Sequence, residues 1–159
     1  MPFSDADARF MTEALAFARI AYAEQEIPIG AVVVRDGRMV GRGRNRRERL
    51  ADPTHHAEIE ALREAASDAG HWRLDGATLY ATVEPCPLCW GAALLARVDR
   101  VVYGARDPKA GALGSVVDLS TASGFNHRIA VTPGVLEDES AQLLRDFFRL
   151  RREEGPRRR

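Results

Sequence analysis

Residues 77–96 read ATLYATVEPCPLCWGAALLA and carry the clearest structural signal of the sequence. The first part, 77–82, is rich in aromatic and β-branched residues, which predicts a strand. Pro85 suits a helix entry, so we predict a helix over 86–96 and a further strand over 100–103. This segment is therefore a strand, helix, strand unit with two cysteines at the start of its helix.

The residues before this unit predict two helices and a hairpin. Ser4 and Asp7 form a capping pair, and apolar residues then recur at helical spacing until near Glu24. The Asp36-Gly37 pair between two short strands is typical of a tight hairpin turn. Asp52, Pro53 and Thr54 supply helix-start chemistry before His55. The predicted elements are a helix ending near Glu24, strands over Gly30–Arg35 and 38–45, and a second helix that stops at Gly70.

The residues after the unit predict a long loop and a closing helix. A glycine-rich loop, GARDPKAGALGS, follows the strand and leads to a short helical turn. A strand around 128–132 and a helix over about 138–152 complete the chain. Alternating helices and strands of this kind form an α/β layered domain, with five strands in a mixed sheet and helices on both faces.

Length and composition indicate a single domain. The chain has 159 residues, of which 45% are hydrophobic, enough for one core and too few for two ordinary ones. We therefore assign 1–159 to one domain with a basic tail from about 153. No apolar run reaches membrane-spanning length, and the acidic, polar N-terminus does not resemble a signal peptide. We expect a cytoplasmic protein without a membrane partner.

Charge is balanced overall but unevenly distributed. The net charge is zero, yet residues 35–49 hold seven arginines against two acidic residues, and 149–159 hold six arginines against two glutamates. Such asymmetry can mark a nucleic-acid footprint. It is also compatible with a solvated, arginine-rich surface, because Lys109 is the only lysine. Charge alone leaves both interpretations open.

Cys86 and Cys89 form a C-x-x-C pair at a helix start. They close almost no loop, so a structural disulfide would stabilise little. At i and i+3 the two side chains lie about 60° apart around the helix axis, where both sulfurs can bind one ion. The helix N-terminus favours their thiolate forms. A thioredoxin-like redox pair and half of a closed zinc site remain alternatives on this motif alone.

His56 and Glu58 lie in an HAE triplet at the start of the other helix. If the two helix starts converge, His56, Cys86 and Cys89 give three zinc ligands and leave the fourth position to water. Zinc lowers the pKa of its water, so a zinc-bound hydroxide would serve as nucleophile. Glu58 points away from the metal side of His56 and is better suited to shuttle protons. H-x-E followed by P-C-x-x-C is the signature of the zinc deaminases.

The chain resembles the bacterial tRNA-specific adenosine deaminases along almost its whole length. The HAE and PCxxC motifs alone would indicate only the wider cytidine deaminase superfamily; the GARDPKAGA loop and the terminal FFRLRR helix indicate the tRNA branch. The matching segments are IPIGAVVV (27–34), Asn45, DPTHHAEI (52–59), VEPCPLCWGA (83–92), VVYGARDPKAGALGS (101–115), FNHR (125–128) and DFFRLRR (146–152).

The resemblance implies a three-layer α-β-α cytidine deaminase-like fold, one Zn²⁺ per subunit and a homodimer. It implies that Asn45 binds the flipped base, that the backbone at Gly30 and Ala31 lines the pocket, and that Glu84 lies at its floor. An asparagine after a strand is as often a turn former. Anticodon stem-loop contacts are expected from the loop and the last helix, at Arg106, Asp107, Lys109, Phe148, Arg149 and Arg152. Of Phe147 and Phe148, we expect at least one to serve only in core packing.

Three positions depart from the family pattern: Trp90, His55 and Ser140. Trp90 would narrow the pocket or pack at a subunit contact, and His55 is expected to be a bystander to the metal. None of the three removes a catalytic group. The sequence thus predicts deamination of adenosine to inosine at the tRNA wobble position, with a free-base or nucleotide deaminase acting on guanine or cytosine as the alternative.

Overall fold

A computed structural model describes residues 3–156 as four α-helices around a five-stranded sheet. The helices are α1 (Asp5–Ala23), α2 (Ala57–Ala69), α3 (Pro87–Ala96) and α4 (Glu137–Glu154), with a short 3₁₀ helix at Leu119–Thr121. The strands are β1 (Gly30–Arg35), β2 (Arg38–Arg44), β3 (Thr78–Val83), β4 (Arg100–Ala105) and β5 (Ala130–Thr132).

The sheet is mixed, with strand order β2-β1-β3-β4-β5. β1 pairs antiparallel with β2 and with β3, whereas β3, β4 and β5 run parallel. β3 and β4 therefore end at the same edge, where β3 leads into α3 and β4 into the long loop. This confirms the α/β class and the five-stranded mixed sheet.

Alternating strand residues separate two apolar cores, one on each face of the sheet. Val33 and Leu79 face α2 and α3, together with Ala61 and Ala93 of those helices. Val32 and Tyr80 face the other way and pack against α1. α4 joins that side, where the ring of Phe147 meets Tyr22 edge to face at 5.7 Å between ring centroids. Helices thus cover both faces, which gives three layers.

The start of α2 differs from the sequence expectation. Asp52 does not begin a helix; its carboxylate accepts hydrogen bonds from the backbone N–H and the hydroxyl of Thr54, at 2.9 and 2.7 Å. Such local side-chain bonding stabilises a turn in competition with helix formation. α2 begins only at Ala57, with His56 at the N-cap position.

α4 extends two residues beyond the expected end at Arg152 and takes up the first part of the predicted basic tail. The last three arginines of that tail, at 157–159, lie outside the described residues. Within residues 3–156, no helix is long and apolar enough to cross a membrane.

Candidate active site

Two helix N-termini meet at one edge of the sheet. Cys86 is the N-cap of α3, directly after the turn that leaves β3, and His56 is the N-cap of α2. Pro87 occupies the first turn of α3, where its missing N–H costs no hydrogen bond. The convergence expected from the sequence is observed.

His56, Cys86 and Cys89 form a group able to hold a metal ion. The Nδ1 atom of His56 lies 3.5 Å from the Sγ atom of Cys86 and 3.4 Å from that of Cys89. A tetrahedral ion bound by nitrogen at 2.0–2.1 Å and sulfur at 2.3 Å requires an N···S separation of about 3.5 Å. The three ligand atoms are therefore spaced as such an ion needs.

The two thiols differ in acidity. A hydrogen bond from Cys89, with a further contribution from His56, lowers the pKa of Cys86 to about 4. The same hydrogen bond to Cys86, together with burial, raises the pKa of Cys89. The hydrogen bond with Cys86 also raises the pKa of His56. The lowered pKa of Cys86 favours its thiolate form, which is the form that binds a divalent ion.

Glu58 lies on the first turn of α2 with only 4% of its surface exposed. Burial raises the pKa of Glu58, outweighing the hydrogen bond with the Cys89 thiol and the nearby His56, which favour the ionised form. A carboxyl group with a raised pKa beside a metal-ligand group is suited to carry protons.

A cleft of about 500 Å³ opens above these residues. Glu58, His56 and Cys86 lie on its wall, together with Asn45 and Glu84. The other lining residues are Ile27, Ile29, Arg47, Ala57, Val83, Arg106, Asp107, Pro108, Lys109, Ala110, Leu144 and Phe148. Its size lies within the range of small-molecule sites.

Gly30 and Ala31 lie deeper than the sequence suggested. Ile27 and Ile29 line the cleft, whereas Ala31 is fully buried in the core. A Cβ atom on Gly30 would lie 2.0 Å from the carbonyl oxygen of Ala14. Gly30 therefore lets α1 approach β1 closely.

Asn45 lies on the cleft wall, but its amide also bonds to the backbone. Its Nδ2 atom donates to the carbonyl of Ile27 at 3.3 Å, and its Oδ1 atom accepts from the N–H of Arg47 at 3.1 Å. The side chain thus shapes a turn. One amide hydrogen and one lone pair remain for a ligand.

Glu84 is buried beneath the glycine-rich loop. Its carboxylate accepts hydrogen bonds from the N–H groups of Asp107, Leu113 and Ser115, at 3.2, 2.9 and 3.2 Å, and from the Ser115 hydroxyl. Burial alone would raise the pKa of Glu84. The hydrogen bonds outweigh burial and lower this pKa, and the bond from the Ser115 hydroxyl contributes most. Glu84 is therefore an ionised anchor of the loop.

The predicted RNA contacts fall on two adjoining surfaces. Arg106, Asp107, Lys109 and Phe148 line the cleft. A second groove of about 970 Å³ shares Lys109, Leu144 and Phe148 with the cleft and continues along α4 past Arg145, Arg149, Arg151 and Arg152. We call it the α4 groove. Phe148 is partly exposed, whereas Phe147 is buried. At least one of the two rings therefore packs in the core, as expected.

None of the three residues that depart from the family pattern lines the cleft. Trp90 packs in the core with 3% exposure, and its indole N–H has no hydrogen-bond partner within residues 3–156. The Nε2 atom of His55 lies 2.5 Å from Glu60, which also accepts from Arg46, so His55 ties the preceding turn to α2. Ser140 is buried in α4.

Sequence reasoning missed a buried carboxylate, Glu26. It is 1% exposed and accepts from the N–H groups of Glu48 and Arg49, at 3.2 and 2.6 Å. Those residues continue the turn that carries Arg47 to the cleft. Glu26 stands in an aperiodic segment, EQEIPI, so no pattern indicated that it would be buried.

Comparison with known proteins identifies related deaminases. The family model of the MafB19-like deaminases matches residues 5–152. A tRNA-specific adenosine deaminase of Bacillus subtilis is 46% identical over 143 residues, 90% of this chain and 89% of that protein.

Solved structures point the same way. A structure from studies of A-to-I editing by tRNA:A34 deaminases has a TM-score of 0.82 and 46% identity, covering 86% of this chain and 99% of its own. The guanine deaminase of Bacillus subtilis is 36% identical, with a TM-score of 0.60, covering 75% of this chain and 70% of its own.

Proposed function

The chain belongs to the deaminase family that includes the tRNA-specific adenosine deaminases, and we propose that it converts adenosine to inosine at the wobble position of a tRNA. The observation that supports this proposal best is that Glu58 lines the same cleft as His56 and Cys86, two members of the group able to hold a metal ion. The family confirms the cytidine deaminase-like fold expected from the resemblance.

We propose that His56, Cys86 and Cys89 hold one Zn²⁺ per subunit. One nitrogen and two sulfurs are a donor set that zinc accepts, and their spacing fits tetrahedral coordination. Bound zinc would acidify a water molecule and leave one position open to it.

Glu58 is assigned the proton transfers. Hydrolysis replaces the C6 amino group of adenine with oxygen from water and releases ammonia. The water must lose protons, while ring N1 and the departing nitrogen must each gain one. A single carboxyl group that faces the cleft can take each proton from the water and return it to the purine. Its raised pKa lets Glu58 hold the proton between these transfers.

The α4 groove favours RNA over a free base. The chain is also similar to a guanine deaminase, so a free purine base is the alternative substrate to consider. A free purine needs only the cleft. The adjoining groove places Arg145, Arg149, Arg151 and Arg152 beside it, where phosphates of an anticodon loop would lie. Such a substrate also implies a cytoplasmic location.

We further propose that two copies pair through the outer face of α2 and α3. Trp72 and Leu95 are 58% and 76% exposed there, beside Ile59, Leu62 and Ala96. Contiguous exposed apolar surface of this kind marks association sites. A second copy of the chain is the occupant that the family resemblance implies.

An anticodon stem-loop with adenine at the wobble position tests the function. The zinc-loaded protein should convert this adenosine to inosine within the RNA and release ammonia, and a stem-loop with guanine at that position serves as the matched control. Free adenosine, guanine and cytidine are assayed in parallel. Rapid turnover of free guanine with no inosine from the stem-loop would replace the tRNA proposal with the free-base alternative.

A further inference from the structure

We propose that Glu84 is a positioning residue that fixes the substrate-facing wall of the cleft without touching the substrate. By this wall we mean one side of the cleft, the segment 106–110, every residue of which lines the cleft. The inference rests on the proposed function for the identity of the substrate, but its structural part stands on the hydrogen bonds of Glu84 alone.

The acceptor capacity of Glu84 is filled by the loop. An ionised carboxylate offers about four acceptor sites. The Oε1 atom accepts from the N–H of Asp107 and the hydroxyl of Ser115, and the Oε2 atom accepts from the N–H groups of Leu113 and Ser115. Four sites meet four donors, so no lone pair is left for a base or a ribose.

The four donors hold both ends of one loop. Asp107 lies near its start and Ser115 near its end, and only 3% of Glu84 is exposed between them. The loop also bonds to itself, since Asp107 Oδ1 accepts from the N–H groups of Lys109 and Ala110. The position of Lys109 thus depends on Asp107, and that of Asp107 depends on Glu84.

Gly111 shows how closely the loop wraps the carboxylate. A Cβ atom at this position would lie 2.3 Å from the Cδ atom of Glu84 and 2.6 Å from the carbonyl oxygen of Asp107. Only glycine allows the backbone to come this near. The backbone of the loop is therefore packed directly against the carboxylate of Glu84.

Glu84 also joins this wall to the metal-ligand turn. It stands two residues before Cys86, and its own N–H donates to the carbonyl of Ala105 at 2.8 Å. The N–H of Ala112 donates to the carbonyl of Pro85 at 2.9 Å. Backbone hydrogen bonds thus fix the position of the loop, which would contact the flanking nucleotides, relative to the turn that precedes Cys86.

Glu84→Gln tests this role. In either orientation, the glutamine NH₂ faces at least one backbone N–H that the carboxylate had accepted, so the loop loosens. KM for the stem-loop should rise at least about fivefold, the order expected when charge-assisted hydrogen bonds are lost. We expect kcat within about threefold of wild type, unchanged zinc content, and faster hydrogen exchange at the N–H groups of Asp107, Leu113 and Ser115.

Asp7→Asn is the matched control. Asp7 is another buried carboxylate with several donors, but it lies at the opposite end of β4 beside Arg100. Its loss should lower stability without changing KM. Should Glu84→Gln fail to fold, Ser115→Ala removes a single donor and should raise KM in the same direction by less.

Two outcomes would overturn the positioning role. One is a Glu84→Gln protein with wild-type KM and wild-type exchange in the loop; the other is a fall in kcat at unchanged KM, which would place Glu84 in the chemistry. If the wild type does not deaminate the stem-loop while exchange in the loop still accelerates in Glu84→Gln, the proposed function fails and the anchoring of the loop stands.

Discussion

Glu58 and Glu84 show how neighbours decide what a buried carboxyl group does. They are 4% and 3% exposed, nearly the same. Glu84 receives four hydrogen bonds, and its pKa is lowered. For Glu58, burial has the largest effect on the pKa and raises it. One residue type therefore supplies a fixed anion and a group able to exchange protons within the same cleft.

Glu58→Gln should abolish deamination while the metal stays bound. The amide keeps the shape of the side chain but cannot carry a proton, and general acid–base groups contribute about 10²–10⁴-fold. Activity is measured on the stem-loop and zinc by elemental analysis. Glu64→Gln, on the same helix and paired with Arg42 at the surface, is the control and should retain activity. Activity above a hundredth of wild type in Glu58→Gln would place the shuttle elsewhere.

At the scale of elements, Asp7 connects the start of α1 to β4. Its carboxylate accepts two hydrogen bonds from the Arg100 guanidinium, at 2.8 and 2.7 Å, and one from the Tyr80 hydroxyl at 2.8 Å. These hydrogen bonds lower the pKa of Asp7 from 3.8 to about 2, and the bond from Arg100 contributes most. The first helix is thus held to the sheet by an ion pair that needs the ionised acid.

This ion pair predicts a specific acid sensitivity. Because the pKa is lower in the folded state, the stabilisation is complete above about pH 4 and is lost as the pH falls toward 2. It amounts to about 2 kcal/mol of the free energy of unfolding. Urea unfolding at pH 7 and pH 2.5 measures it. Asp7→Asn should be less stable at pH 7 and should lose less stability between these pH values. Parallel pH profiles for both proteins would contradict this account.

The arginines of α4 are expected to bind phosphates. Changing Arg149, Arg151 and Arg152 together to alanine should weaken binding to edited and unedited stem-loops alike. The dependence of log K on log salt should become shallower by about 0.7 per lost contact on a single-stranded loop. Fluorescence anisotropy over a salt series measures both effects.

Two controls separate charge from recognition of the base. The surface arginines Arg19, Arg38 and Arg73, changed together, should leave the salt slope unchanged, since none lines the cleft or the α4 groove. Asn45→Ala should reduce turnover far more than affinity, because phosphates supply most of the binding. A triple α4 variant that binds like wild type would remove the groove from the RNA interface.

The sequence predicted the elements, and it predicted that His56, Cys86 and Cys89 would come together, because both predictions follow local rules. Periodicity marks α1, and the Asp36-Gly37 pair marks the hairpin. His56, Cys86 and Cys89 were predicted from motif chemistry at helix starts. The partners of Glu84 were not predictable, because its donors lie 23 to 31 residues away in a loop without periodicity. The predicted start of α2 was wrong because Asp52 bonds to Thr54 and stabilises a turn there. Composition alone does not show whether a turn or a helix forms at these residues.

At the scale of the whole molecule, the net charge is zero, but basic and apolar residues lie on different surfaces. The α4 groove is basic and adjoins the cleft, whereas the outer face of α2 and α3 is apolar and lies behind the metal-ligand helices. The two helices that begin at the candidate metal-binding group therefore also form the proposed dimer face. The proposed dimer face shares no lining residue with the cleft or with the α4 groove.

Leu95→Glu should convert the proposed dimer into a monomer. Leu95 is 76% exposed beside Trp72, so a second copy would bury it, and a carboxylate there would be desolvated without a partner. A penalty of about 3 kcal/mol weakens the dimer by roughly a hundredfold. Light scattering after size-exclusion chromatography, over a range of protein concentrations, measures the mass.

Ile20→Glu, which adds the same charge at an exposed apolar position of α1 on the other side of the sheet, should remain dimeric. Because α2 and α3 carry His56 and Cys86, zinc content is measured on both variants, and it should match wild type if only association is lost. A wild-type chain of monomer mass at tens of micromolar would rule out pairing through this face.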